Sequence, residues 1–103
     1  MKLIEKLTEK ISDEICDARK YVKMAMEYRD EYPDMARTLY GISLEETEHM
    51  NRLHDIVVEI IAQYRKTNGE PPASMLAVYD YLHKKQIDKA AEVKSMQDMY
   101  KAG

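Results

Sequence analysis

The chain has 103 residues, of which 16 are basic and 19 acidic, for a formal charge of -3 and an isoelectric point near 5.6. A length of that order supports one domain with a modest core, so self-association is expected. The charges are spread along the whole sequence without a basic block, which excludes the electrostatic footprint of nucleic-acid or membrane-surface binding, and a single cysteine, Cys16, excludes an internal disulfide framework.

The first segment, "MKLIEKLTEKISDE", is charged from its second residue onward, so it lacks the apolar stretch of a signal peptide. No run approaches the length of a transmembrane span, and a cytoplasmic location is the expectation. From about Leu3 to Glu31 the apolar residues Ile4, Leu7, Ile11, Ala18, Tyr21, Ala25 and Tyr28 recur at alternating spacings of three and four, which predicts a helix. The position that completes this stripe is Glu14. Cys16 reads as a small buried hydrophobe.

"EYPD" breaks that helix, because Pro33 disfavours helical geometry at Tyr32 and suits the first position of the next helix, where Asp34 complements the dipole. The connection is so short that the two helices must be antiparallel neighbours. In the second helix, from about Pro33 to Lys66, the stripe of Leu39, Ile42, Leu53, Ile56 and Ile60 is completed by Glu46 and His49. Gly41 lowers helix propensity there by about 1 kcal/mol relative to Ala, and close helix approach is one reason to keep it. "TNGEPP" ends the segment, with Gly69 suited to a left-handed cap. The chain thus divides into a helical hairpin over 1–67, a linker over 68–74 and a third helix over 75–101. That last helix carries the less regular stripe of Leu76, Tyr79, Ile87, Ala90, Val93, Met96 and Tyr100.

Eight Tyr and eight Met, with no Phe and no Trp, suit a helical core that contains polar groups. Carboxylates and imidazoles within an apolar stripe are costly unless they are paired, hydrogen-bonded or bound to metal. Glu46 and His49, three residues apart, project within roughly 60° of each other and about 4.5 Å apart along the axis, so one ion can take both. If the hairpin reverses near residues 31 and 32, facing positions have indices that sum to about 63, a condition met by Glu14 and His49. Asp17 meets it against Glu46 but points towards the edge of the stripe. Glu45 and Glu48 read as solvated, and His54 as a packed or surface residue; His83 reaches the site only if the third helix folds against it.

One Glu from one helix and Glu-x-x-His from the next form half of the carboxylate-bridged di-metal centre of four-helix bundles, which implies two chains. Oxygen-rich ligand sets with one imidazole per metal suit iron or manganese better than zinc.

The segment "DEICDARKYVKMAMEYRDEYPDMARTLYGISLEETEHMNRLHDIVVEII" resembles the first helical hairpin of the ferritin-like and rubrerythrin superfamily. The resemblance implies an all-α, ferritin-like antiparallel hairpin with a third C-terminal helix, its four-helix bundle completed by dimerisation. It implies a di-iron or di-manganese centre held by Glu14, Glu46 and His49, with Glu46 bridging, and iron oxidation or peroxide chemistry as a ferroxidase or related oxidoreductase. The third helix lacks the second Glu and the second Glu-x-x-His of rubrerythrins, and rubredoxin-like cysteine pairs are absent. The likeness is therefore nearer to the encapsulated ferritins, in which Tyr21 would match an aromatic position following the first-helix Glu. The alternative is a metal-free helical interaction module on a degenerate scaffold of the same kind. The expected partners are metal ions, oxygen or peroxide and a second copy of the chain.

Overall fold

The computed structural model describes all residues from Met1 to Gly103. It contains three helices and no strand: α1 (Lys2–Tyr28), α2 (Pro33–Asn68) and α3 (Ala73–Ala102). None of them is long and apolar enough to cross a membrane. At 1.5 Å per residue α2 measures about 54 Å, close to the 56 Å long axis of the molecule, so this helix is the spine of a rod only 18–19 Å thick. The radius of gyration of 16.5 Å exceeds the roughly 13 Å of a compact domain of this length. A rod of this shape has little interior.

No helix has a side-chain N-cap hydrogen bond, so the turns and the packing fix the ends. Pro33 starts α2 with Asp34 in its first turn, and the Tyr32 N–H donates to the Tyr28 carbonyl to close the reversal. Gly69 ends α2 at φ 75°, where its N–H donates to the Arg65 carbonyl. A side chain is strained in that conformation, and glycine is not.

The buried face of α1 comprises Ile4, Thr8, Ile11, Ile15, Ala18, Val22 and Ala25. It keeps Ile4, Ile11, Ala18 and Ala25 of the stripe expected from apolar spacing but is rotated so that Thr8, Ile15 and Val22 are buried in place of Leu7, Glu14, Tyr21 and Tyr28. The rotation has a physical cause: α3 packs along the Thr8, Ile15 and Val22 side of α1, and the position of a third helix is not encoded in the pattern of the first. In α2 the buried residues are Ala36, Ser43 and Val57, while Ile56 of the expected stripe is 44% exposed. Small residues at Ala18, Ala25, Ala36 and Ser43 bring the α1 and α2 backbones close, and the Ser43 hydroxyl donates to the Ala18 carbonyl at 2.7 Å. Gly41 takes no part in that approach, since a Cβ there would meet nothing within 4 Å. Cys16, expected in the core, is exposed.

α3 runs parallel to α1 and antiparallel to α2, and it docks through glutamines. Gln86 donates to the Thr8 carbonyl at 3.0 Å and to Ser12 Oγ at 3.1 Å; Gln97 donates to Ser43 Oγ and Thr47 Oγ1, both at 3.0 Å. Both glutamines are buried, whereas Ile87 of the expected stripe is 52% exposed. A buried amide is tolerable only with such partners. At the far end Tyr100 stacks on Tyr40, with ring centroids 4.7 Å apart, and lies under the Arg29 guanidinium, which also donates to the Tyr100 carbonyl.

Candidate metal centre

The three-residue spacing of Glu46 and His49 puts both on one side of α2, and the short reversal at Tyr32 sets the level at which α1 meets them. Glu14 stands at that level. His49 Nδ1 lies 3.7 Å from Glu14 Oε2 and 3.9 Å from Glu46 Oε2, and ligand atoms of the three residues all fall within 4.8 Å of one another. Asp17, on the neighbouring turn, is exposed and stands outside this group.

The separations are informative about what the side chains do to each other. They exceed the reach of an N–H···O hydrogen bond, and Glu14 Oε2 is accordingly buried with no hydrogen-bond partner. The two His49–carboxylate distances are shorter than about 4.2 Å, the greatest distance between two ligand atoms that each sit about 2.1 Å from one ion. A cation between His49 and either carboxylate is thus compatible with the side chains as they stand. The Glu14 and Glu46 side chains are 22% and 19% exposed and that of His49 is 51% exposed, so the carboxylates are set into the hairpin and the imidazole borders solvent.

The trio occupies the side of the hairpin that α3 leaves uncovered. Tyr40, Thr47 and His54 on α2 face α3, as do Thr8 and Ser12 on α1, and Glu14, Glu46 and His49 project from the opposite flank of the same two helices. Leu3, Met24 and Tyr28 of α1 and Met35 and Ile56 of α2 share that open flank and are 39–50% exposed. Tyr21 is half-buried on the same side; its hydroxyl makes no hydrogen bond to any of the three residues. It is two turns from Glu14, about 10.5 Å along the axis.

His83 does not join the trio. It stacks on His54 with ring centroids 4.8 Å apart and planes 15° from parallel, between α2 and α3, on the covered side of the hairpin. The burial of Gln86 and Gln97 and this histidine stack were not expected from the sequence. The signal that marks the glutamines lies on the other helices, where Thr8 and Ser43 interrupt the buried positions of α1 and α2 with hydroxyl and carbonyl partners.

No protein-family model matches this chain, and neither does any curated protein or solved structure.

Proposed function

We propose that the protein binds iron or manganese at a carboxylate-rich centre shared between two copies of the chain, and that it serves iron oxidation and handling or peroxide chemistry there. The observation that carries this reading is Glu14 Oε2: a buried carboxylate oxygen without a hydrogen-bond partner, 3.7 Å from an imidazole nitrogen. Leaving such an atom unpaired is costly, and a cation removes the cost. Two carboxylates offset the charge of a divalent ion, and a set of two oxygens and one nitrogen suits iron or manganese. Glu14 and His49 would each be terminal ligands and Glu46 the shared one, as the resemblance to encapsulated ferritins implies. A pair of ferrous ions there would supply one electron each to oxygen or peroxide.

The residues around the trio have their own roles in this reading. In the single chain His49 is half exposed, on the side that α3 leaves open. Tyr21 offers a hydroxyl, not engaged within the chain, to a group bound nearby. The exposed Leu3, Met24, Tyr28, Met35 and Ile56 favour a second hairpin packed over the trio. Two hairpins make four helices and bring the second set of ligands, so one partner completes both the bundle and the centre.

A competing reading is supported by the same contacts. His49 lies between two carboxylates, and in a metal-free helical interaction module such a polar triad would set the register between chains. Elemental analysis of protein grown with added iron and manganese separates the two readings. Wild type and Asp17→Ala should carry about one metal per chain, and His49→Ala and Glu14→Ala should lose most of it. Stoichiometric metal in His49→Ala would overturn the assignment.

A further inference from the structure

The two ends of α3 are held by different chemistry. Its C-terminal half is fixed by buried Val93, by Gln97 on Ser43 and Thr47, and by Tyr100 between Tyr40 and Arg29. Its N-terminal half, residues 73–85, contains no fully buried residue and exposes Val78, Tyr81 and Leu82, with Tyr79 partly buried against the core. What joins that half to α2 is aromatic: His83 lies between His54 and Tyr79, with ring centroids 4.8 and 5.7 Å away and planes within 15° of parallel.

We propose that the His54–His83 stack is an acid-operated clasp: with His83 uncharged it holds the first half of α3 on the hairpin, and protonation of His83 on mild acidification releases residues 73–85 while the C-terminal half stays docked.

The surroundings of the pair favour this behaviour. The cavity beside the pair is lined by Ile11 from α1, by Met50 and Asn51 from α2, and by Gln86, Ile87 and Ala90 from α3. The charged group that acts on His83 is Asp80, one turn before it, and the titratable Tyr79 stacks on its other face. The cavity, of about 280 Å³, gives protons a route to the two rings. Burial, and then the neighbouring His54, lower the affinity of docked His83 for a proton, and Asp80 opposes this only in part. Burial, assisted by Asp80, raises the Tyr79 pKa, so its phenol stays neutral throughout the acid range.

The sign follows from linkage. Once α3 is released, His83 regains an ordinary pKa near 6.5, above its value in the docked state, so the released form takes up the proton first. Docking is therefore at full strength above the ordinary histidine range and is lost as pH falls through it.

Hydrogen exchange on the full chain at pH 7.5 and pH 5.0, corrected for the intrinsic chemical rate, tests the clasp. Protection of residues 73–85 should fall measurably at the lower pH, while residues 90–102 keep theirs. The His54→Gln/His83→Gln double variant should lose the pH dependence, and His49→Gln, which alters only the proposed metal ligands, should retain it. Equal protection of 73–85 at both pH values, dependence that persists in the double variant, or dependence abolished by His49→Gln would each overturn the proposal. If the double variant does not fold, ring-proton NMR of the wild type decides. His83 should titrate below the ordinary range and in step with loss of the 73–85 amides; titration without that loss would refute the clasp.

Discussion

Glu14 and His49 are 35 positions apart in the sequence, yet the Oε2 of one lies 3.7 Å from the Nδ1 of the other. That proximity depends on the tight reversal at Tyr32 and on the close packing of α1 against α2. Small side chains at Ala18, Ala25, Ala36 and Ser43 permit that packing. The candidate centre is thus a product of the hairpin, and α3 braces the hairpin from behind.

Ser43 ties all three helices together, because its hydroxyl donates to the Ala18 carbonyl and accepts from Gln97. Ser43→Ala removes both bonds and leaves the Gln97 amide only Thr47. The expected loss is roughly 1 to 2 kcal/mol, read as a lower midpoint in urea denaturation with little change in slope. A variant as stable as wild type would show that Gln97 re-pairs without cost.

Gly41 lies inside α2 with open space where a Cβ would be. Gly41→Ala should stabilise the protein by up to about 1 kcal/mol through helix propensity. Thermal or chemical denaturation checks it, and a loss of stability would indicate that another chain approaches this position.

Ile56 is 44% exposed on the flank that carries the trio. Ile56→Lys should leave the helix content unchanged by circular dichroism, because the side chain is outside the buried core. Self-association measured by sedimentation should weaken by ten-fold or more, as a charge is placed where the second hairpin is proposed to pack. Unchanged association would move the partner interface elsewhere.

Much of the hairpin was legible in the sequence because local chemistry decides it. Pro33 and Gly69 mark their boundaries by backbone constraint alone, and a reversal centred near residues 31 and 32 puts Glu14 level with His49 by counting. The buried faces were less legible. Glu14 and Tyr21 were expected within the inward stripe of α1, whereas they sit at the edge of the face that one chain buries. The apolar pattern of α1 and α2 is broader than a single hairpin with one covering helix can use, and the surplus is the open flank around the trio. The docking of α3 was least legible, since Gln86 and Gln97 are surface residues by composition. Only hydroxyl and carbonyl partners on other helices reconcile them with burial.

The central claim is that a second copy and a metal complete the same centre. The most direct measurement is elemental analysis of a size-separated fraction whose mass in solution is determined at the same time, after growth with added iron and manganese. A dimer or larger even-numbered assembly with about one iron or manganese per chain is the predicted result. Metal-free protein, or metal bound at full stoichiometry to a monomer, would contradict it.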